Sequence, residues 1–409
     1  MKDIVIIGGG IAGLYCAYKI DKKYDVSLFE SGSVFGGRVY TDEFTIDRKK
    51  YTLEAGAGRI LSTHGLMLKL INNMKLNDLL IKIDSKIEFI PSKYYSLKDK
   101  FHDETGYEYI DKVIKRSKNL SDQYLKSINF KELALKYLSS DQVKFMLDSS
   151  GYYGDLVIQN AFDAINVFSH SVRVDKKYYV LKGGFGNLIK TMVGNVKDKH
   201  DCYLKKRCIS VNYNDGIFTM NINNKMVLSK KLVLAIPKQN LLDIEFLKPY
   251  FPLLKTINLI RLVRIYSIYS PENVWFHNMG KVTTNNNLGY IIPVSAEHGV
   301  IMTSYTDYTR ANYWSKINKN KKVLNDTLNK NIENVFNIVP KNPKDIKVYD
   351  WENGVALWKK NVDSELLIKK IRNPIKGIPL FIVGENYSKY QGWMEGSLNS
   401  VDSVISEIN

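Results

Sequence analysis

The beginning of the chain carries the feature that most limits its possible folds. An apolar run at residues 4–7 (IVII) predicts a buried parallel strand. Glycines follow in the spacing G-x-G-x-x-G over residues 8–13, and a helical pattern then runs over residues 14–20. A second apolar run at residues 26–29 predicts the next strand. This order of strand, glycine turn, helix and strand predicts an α/β domain that binds a dinucleotide.

Each residue type in the glycine turn has a physical reason. Gly8 allows the tight turn, Gly10 lets a phosphate approach the backbone, and Gly13 lets the helix pack closely on the strand. Ile11 and Ala12 lie between these glycines and are expected to bind the cofactor, because the free N–H groups and positive dipole end at the start of the following helix would face the phosphates. A glycine-rich turn without a ligand is the alternative interpretation.

An acidic residue follows the second strand. Glu30 lies 17 positions after Gly13, where a carboxylate can accept hydrogen bonds from the ribose hydroxyls of a dinucleotide. The same charge would repel a 2′-phosphate. We therefore expect Glu30 and the adjacent Ser31 to contact the cofactor.

The chain length, the composition and the net charge indicate what kind of protein this is. The chain has 409 residues, which suits two domains better than one core. Apolar residues make up 44% and charged residues 25%, as in globular proteins. The net charge of +17 could reflect an anionic partner, but the lysines are spread along the chain, which favours a solvated basic surface. We therefore expect no nucleic-acid partner.

The cysteines, the histidines and the lengths of the apolar runs argue against a disulfide-rich, metal-binding or membrane-spanning protein. Three cysteines give no disulfide framework, and neither they nor the six histidines show metal-ligand spacing, so no metal is expected. No apolar run approaches about 18 residues, and the first strand leaves no room for a signal peptide. We expect a soluble cytoplasmic protein without a membrane partner, and the composition is compatible with an oligomer.

The residues after the second strand extend the motif. Residues 30–41 have the pattern E-x(5)-G-G-R-x-x-T, in which Gly37 and Arg38 are adjacent. This pattern resembles that of the large flavoprotein family that includes amine oxidases, phytoene desaturases and protoporphyrinogen oxidases. The resemblance implies that the dinucleotide is FAD, that Gly37 lies close to it, and that Arg38 offers its charge to a phosphate. An exposed glycine turn with a surface arginine is the alternative.

The C-terminal region resembles the same family. A buried run ends in Gly384 and Glu385, and the segment at residues 391–397 (QGWMEGS) opens a helix. By resemblance, Glu385 contacts the ribityl or pyrophosphate part of FAD. The helix N-terminus would meet the isoalloxazine ring, where its dipole stabilises the negative charge of reduced flavin. The further residues expected at FAD are Gly392, Trp393, Met394 and Ser397. Trp393 would also form one wall of the substrate cage, unless it is an ordinary core tryptophan.

Three internal segments follow the order of the family's FAD domain. Residues 180–188 contain G-G-x-x-x-L, residues 203–211 resemble the strand beside the adenine, and residues 231–237 resemble the next strand. Cys208 lies where the family usually has a valine whose backbone meets the base. Each segment alone is also compatible with a core strand.

The resemblance predicts two interleaved domains. The fold class is α/β, with a Rossmann-type FAD-binding domain interrupted by a mixed-sheet substrate domain and a helical segment. The FAD-binding domain is expected to comprise residues 1–62, 178–245 and 375–409. The substrate domain is expected to comprise residues 63–177 and 246–374, with a helical portion at about 99–170.

A second glycine loop bears on the substrate. Amine oxidases place the stretch that corresponds to Gly56, Ala57 and Gly58 beside the flavin. L-amino-acid oxidases have G-A-M-R-[IF]-P there, with an arginine that binds the substrate carboxylate. Arg59 occupies that position, although Leu61 replaces the proline. A guanidinium binds a carboxylate in a bidentate manner, so Arg59 is a candidate substrate ligand. The alternative is that Arg59 contacts only FAD or a neighbouring carboxylate.

Other positions depart from the family. Many members have a lysine that holds a water near flavin N5, and here Arg264 stands in that strand. Arg264 either replaces the lysine or is a plain strand arginine. Residues 351–358 contain no cysteine, whereas members with covalent FAD have one there, so non-covalent FAD is expected. Val355 replaces the usual aromatic residue of the cage.

Together these resemblances imply an oxidase that uses small molecules and oxygen. An amine would be oxidised to an imine by hydride transfer to flavin N5, and oxygen would be reduced to hydrogen peroxide. Because of Arg59, the favoured substrate is an L-amino acid. The alternatives are a polyamine or monoamine oxidase, and a redox-silent FAD-binding protein with a structural or interaction role.

Overall fold

The chain divides into two units that alternate along the sequence. The computed structural model describes residues 1–97, 100–101, 104–171 and 177–409. The first unit comprises Met1–Asp84, Lys176–Asn258 and Val362–Asn409. The second comprises Ser85–Asp175 and Leu259–Asn361.

The strands of the described residues are, in chain order, β1 (Lys2–Ile7), β2 (Val26–Phe29), β3 (Thr41–Ile46), β4 (Lys49–Glu54), β5 (Ile60–Leu61), β6 (Leu80–Ile83), β7 (Ile87–Phe89), β8 (Tyr178–Leu181), β9 (Asp201–Tyr203), β10 (Cys208–Asn214), β11 (Ile217–Ile222), β12 (Lys225–Leu234), β13 (Ile257–Ile268), β14 (Lys281–Thr283), β15 (Tyr290–Ser295), β16 (Val300–Asp307), β17 (Asp345–Trp358) and β18 (Leu380–Ile382).

The α-helices of the same residues are α1 (Ile11–Lys19), α2 (Gly65–Asn73), α3 (Gly106–Arg116), α4 (Asp122–Ser127), α5 (Phe130–Ala134), α6 (Ser140–Ser150), α7 (Tyr153–Val157), α8 (Ala161–Ser171), α9 (Gly186–Lys197), α10 (Lys238–Leu241), α11 (Phe251–Leu254), α12 (Tyr308–Ile317), α13 (Lys321–Phe336), α14 (Ser364–Arg372), α15 (Met394–Asp402) and α16 (Ile405–Ile408). Short 3-10 turns span Asn77–Leu79, Glu245–Tyr250, Pro271–Asn273 and Glu385–Tyr387.

A mostly parallel sheet organises the first unit. Its order is β10-β11-β12-β1-β2-β9, and β18 pairs with the end of β12. The strands β12, β1, β2, β9 and β18 run parallel, whereas β10 and β11 are joined in antiparallel fashion. Because parallel strands end at one edge of a sheet, the residues that follow β1, β2 and β18 lie at the same edge. These are the glycine turn, Glu30 and the Gly384-Glu385 segment.

Buried apolar side chains pack the helices of the first unit against one another. Helices α9 and α15 both pack against α1, and α2 packs against α15. Leu14, Met192 and Val401 are fully buried where these helices meet. Two small antiparallel sheets complete the unit, the hairpin β3-β4 and the sheet β5-β8-β6.

The second unit has a sheet and a separate helical part. The sheet has the order β17-β13-β16-β15-β14-β7. One hydrophobic cluster lies between this sheet and helices α12 and α13. Another cluster, which includes Phe130, Met146 and Phe168, lies among α3 to α8.

Several sequence predictions are confirmed. The second strand has the predicted bounds, and the predicted helical portion is mostly helical from residue 106 onwards. The predicted C-terminal helix forms as α15 and is interrupted after Asp402, and Val401, Val404 and Ile408 are buried along it and the following α16.

Two expectations differ from the structure. Residues 203–211 do not form one strand, because the chain turns between β9 and β10, with Lys205 at a positive φ of 56°. The first unit boundary follows Asp84 instead of residue 62, because α2 packs on α15 and β6 pairs with β8. The later boundaries lie at residues 258 and 361, against the expected 245 and 374.

Candidate active site

The turn after β1 has backbone geometry that only glycine fits. Gly8 has a φ of 106°, and a Cβ atom there would lie 2.4 Å from the Ala235 carbonyl oxygen. A Cβ at Gly13 would lie 1.9 Å from the Gly8 oxygen, so this glycine lets α1 pack against the turn. A Cβ at Gly10, by contrast, would meet no atom closer than 3.9 Å. The space beside Gly10 is therefore open, at the N-terminus of a helix that no side chain caps.

Glu30 supports the same turn. Its Oε2 accepts a hydrogen bond of 2.7 Å from the Gly9 N–H, and its Oε1 accepts one of 2.6 Å from the Gly32 N–H. The hydroxyl of Ser31 donates to Oε1 at 3.2 Å. Oε1 thus accepts two hydrogen bonds and Oε2 only one, so Oε2 keeps a further lone pair for a ribose hydroxyl.

Backbone hydrogen bonds connect three glycine segments: the turn after β1, the Gly36-Gly37 pair and the loop around Gly56. Gly36 donates from its N–H to the Gly9 oxygen at 2.8 Å, and Ala57 donates to the Arg38 oxygen at 2.9 Å. A Cβ at Gly56 would lie 1.9 Å from that same Arg38 oxygen. The loop around Gly56 is thereby fixed beside the glycine pair that precedes Arg38.

Arg38 and Glu385 form a buried ion pair. Arg38 Nη1 donates to Glu385 Oε1, and the Glu385 side chain is only 8% exposed. Asn386 Nδ2 donates to the same oxygen at 2.7 Å, and the Gly392 N–H donates to Oε2 at 2.9 Å. Sequence reasoning assigned both residues to FAD but did not predict that they contact each other.

Trp393 stands at the N-terminus of α15 and contacts a histidine. Trp393 is half-buried, and its ring lies 4.9 Å from that of His64, centroid to centroid, at an interplanar angle of 74°. His64 is 3% exposed, and burial lowers its pKa to about 4. Met394 and Ser397 follow as buried residues of the first helical turns.

Glu395 joins two helices of this region. It is 7% exposed, and its two oxygens accept hydrogen bonds from the N–H groups of Leu66 and Met67 at 3.0 and 2.9 Å. Because His64 provides no side-chain cap to α2, Glu395 satisfies the start of that helix. The family motif thus contains a structural carboxylate whose role sequence reasoning missed.

Arg59 lies over an aromatic ring. The guanidinium carbon is 4.9 Å from the centroid of Tyr178, and Arg59 is half-buried. Tyr178 lies in β8, which pairs with β5 directly after Arg59. Burial raises the pKa of Tyr178, while the charge of Arg59 opposes that shift. Tyr178 therefore orients the guanidinium, a contact that no local sequence signal indicated.

Two further predicted residues, Arg264 and Cys208, each have their own surroundings. Arg264 belongs to the second unit, on β13, where it is 9% exposed and its guanidinium carbon lies 4.9 Å from the Tyr305 ring. Cys208 begins the edge strand β10, and burial raises its pKa to about 11. The backbone that hydrogen-bonds beside Glu30 is that of Lys206, which donates to the Glu30 oxygen at 2.8 Å.

Comparison with known proteins identifies the family. The model of the flavin-containing amine oxidoreductases matches residues 11–401. The chain belongs to this family. Its fold is shared with two structures of putrescine oxidase, a double mutant (15% identity, TM-score 0.80) and the wild type bound to putrescine (15% identity, TM-score 0.78). Each comparison covers 100% of this chain and 98% of the other.

Further comparisons agree on the fold. A protein provisionally described as a protoporphyrinogen oxidase from Exiguobacterium sp. 255-15 is 14% identical, with a TM-score of 0.77 and coverage of 100% of this chain and 98% of that one. Among curated proteins, none matches this sequence. The family uses FAD, typically bound without a covalent link.

The residues of the first unit suit FAD. The open space at Gly10 lies at the start of α1, where a pyrophosphate can approach backbone N–H groups. Glu30 retains acceptor capacity where a ribose is expected. The described residues hold no group of His, Cys, Asp and Glu suited to a metal ion. Within that same part of the chain, every helix is too short or too polar to cross a membrane.

Proposed function

We propose that this amine oxidoreductase oxidises an L-amino acid to the corresponding imino acid. The observation that carries the substrate class is the position of Arg59. Its half-buried guanidinium is held over Tyr178, directly after the Gly56 loop that is fixed beside the dinucleotide turn. A guanidinium presents a planar fork that matches a carboxylate.

Different residues of the first unit would bind different parts of FAD. The turn at Gly8 to Gly13 would hold the pyrophosphate of FAD, and Glu30 the adenosine ribose. The N-terminus of α15 would place its positive dipole end at the isoalloxazine ring, where it favours negative charge. The Arg38–Glu385 pair would fix the strand-end loop that leads to this helix.

The substrate needs orientation and exclusion of water more than acid–base groups. Arg59 would bind the carboxylate, and Trp393 would form an apolar wall for the rest of the molecule. When bound, FAD would supply the redox chemistry, taking a hydride from the Cα–H of a neutral amine and passing two electrons to oxygen to give hydrogen peroxide. The substrate would thereby become an iminium ion, which loses a proton to give the imine that water hydrolyses.

An amine without a carboxylate is the second candidate. Putrescine oxidase bound to putrescine shares the fold of this chain. Within the second unit, Asp155 and Asp307 are interacting carboxyl groups whose pKa values are raised. Burial raises the pKa of Asp155 to about 7, with Asp307 adding to the effect, and burial raises that of Asp307 to about 6. In this case Arg59 would serve FAD alone.

A substrate panel separates these candidates. Peroxide release is measured for the purified FAD-bound protein with L-amino acids, with the matching decarboxylated amines and with polyamines. Substitution Arg59→Ala should lower kcat/KM for amino acids by about a hundredfold, equivalent to about 3 kcal/mol for a broken buried ion pair, and should affect the matching amines far less.

Two variants control for charge and for loss of any arginine. Arg59→Lys keeps the charge but loses the fork, and should recover only part of the activity. Arg207→Ala removes an arginine whose side chain is 68% exposed and should leave kcat/KM unchanged. A wild-type preference for amines or polyamines over every amino acid would refute the carboxylate role. If no compound releases peroxide, a redox-silent FAD-binding protein is the better description.

A further inference from the structure

His64 is a buried histidine that the proposed reaction does not use. It is 3% exposed, and burial lowers its pKa to about 4, so the imidazole is neutral at neutral pH. It immediately precedes α2 and lies five residues after Arg59. Nothing in the sequence motifs assigned a role to it.

The hydrogen bonds of His64 define which nitrogen carries the proton. Nδ1 accepts a hydrogen bond of 3.4 Å from the Leu61 N–H, so the neutral ring carries its proton on Nε2. Nε2 is buried and has no hydrogen-bond partner among the described residues. A buried N–H without an acceptor is unfavourable, so this donor calls for an acceptor outside the protein.

The imidazole is held in place from two directions. On one side its ring meets the Trp393 ring edge to face, at 4.9 Å between centroids. On the other, Glu395 accepts the N–H groups of Leu66 and Met67, which fixes the helical turn that follows His64. A donor so fixed loses little freedom when it binds a ligand.

The acceptor for the His64 N–H is either the substrate or the flavin, and the chemistry of these two ligands distinguishes them. The lone pair of a neutral amine becomes the second C–N bond as the hydride leaves, so it must stay free of hydrogen bonds, and the carboxylate of an amino acid is assigned to Arg59. The isoalloxazine ring, however, has carbonyl oxygens and ring nitrogens that accept hydrogen bonds. The N-terminus of α15, which begins beside Trp393, is the part of the chain expected at that ring.

We propose that His64 donates a hydrogen bond from Nε2 to an acceptor atom of the bound isoalloxazine ring. The inference rests on the proposed function, because it requires FAD in this site. Ring acceptors gain negative charge when the flavin is reduced, and a hydrogen bond to a charged acceptor is stronger. The hydrogen bond from His64 therefore stabilises the reduced flavin more than the oxidised flavin, and so makes the bound flavin easier to reduce.

The test measures flavin reduction without any substrate. The holoprotein is reduced in equilibrium with a reference dye of known potential, and the flavin absorbance spectrum is recorded. In His64→Phe, which keeps an aromatic ring against Trp393 but has no donor, the equilibrium constant for reduction should fall about tenfold, and the spectrum should shift. His64→Gln, which keeps an N–H donor, should recover much of the loss. If His64→Phe does not fold, His64→Leu replaces it.

His200 provides the matched control. It is also buried in the first unit, 6% exposed, with a pKa lowered by burial, but its Nε2 lies 3.3 Å from the Ile20 oxygen, away from Trp393. His200→Leu should leave the reduction equilibrium unchanged. The proposal is overturned if His64→Phe binds FAD and is reduced as readily as the wild type, which would leave His64 as a packing partner of Trp393. Wild-type protein that binds no FAD would instead refute the proposed function.

Discussion

The ion pair between Arg38 and Glu385 leads to a quantitative prediction about stability. The Glu385 carboxylate accepts three hydrogen bonds, from Arg38, from Asn386 and from the Gly392 N–H. Its side chain is 8% exposed, so in Glu385→Ala water replaces the lost carboxylate only in part. We expect the substitution to destabilise the first unit and to loosen the loop before α15.

The magnitude follows from what Glu385→Ala leaves behind. Breaking a buried ion pair costs about 3–5 kcal/mol, because the remaining charge is left without a partner. Arg38 is 29% exposed, so its guanidinium regains some hydration, and the lower end of the range applies. The free energy of unfolding should therefore fall by about 3 kcal/mol. Glu385→Gln, which keeps the shape and one acceptor oxygen, should cost less.

Urea denaturation of the apoprotein, followed by circular dichroism and tryptophan fluorescence, measures this effect. Two units can unfold in separate steps, so the transition that shifts in Glu385→Ala must be identified by both probes. Glu245→Ala serves as the control, because Glu245 is 81% exposed and its partner Lys248 is 68% exposed. Equal midpoints for the two alanine variants would refute the view that the Arg38–Glu385 pair is a stabilising contact.

Three further predictions concern the cofactor, the substrate wall and pH. Glu30→Ala should weaken FAD binding by about 1–3 kcal/mol, as measured by titration of the apoprotein, whereas Ser31→Ala should have a smaller effect. Trp393→Ala should lower turnover more than FAD content, and unchanged steady-state kinetics would show that the ring only packs. The raised pKa of Asp155, about 7, means that the folded protein holds a proton there more tightly than the unfolded chain. The resulting stability is present at low pH and is lost as the pH rises from about 4 through about 7. Asp155→Asn should therefore narrow the difference in urea midpoint between pH 5 and pH 8. An unaltered difference would show that protonation of Asp155 does not stabilise the fold.

Local patterns were enough to predict the frame of the first unit. The apolar runs of β1 and β2 are buried on both faces, so their sequences alone predict parallel strands. Gly13 is required by a contact within the same turn, because a Cβ there would lie 1.9 Å from the Gly8 oxygen. Such features depend on neighbours in the sequence, which a pattern can represent.

Contacts between distant segments could not be predicted in this way. Arg38 and Glu385 are 347 positions apart, and Glu395 caps a helix that begins 330 positions earlier. The charge of each residue was visible, but its partner depends on the fold. Similarly, nothing in the run at residues 203–211 showed that Lys205 adopts a positive φ and separates two strands. The position of Arg59 was predicted from resemblance, whereas its contact with Tyr178 was found only in the structure.

An amine that is a substrate of this protein should reduce the flavin bound to it. The most direct test mixes the purified holoprotein with L-amino acids and amines without oxygen, and follows the visible absorbance of the oxidised flavin. At least one L-amino acid should bleach this absorbance at a rate that saturates with its concentration, and readmitted oxygen should restore the colour with release of hydrogen peroxide. Absorbance that persists with every amino acid and amine, in protein that chemical reductants do bleach, would contradict this prediction.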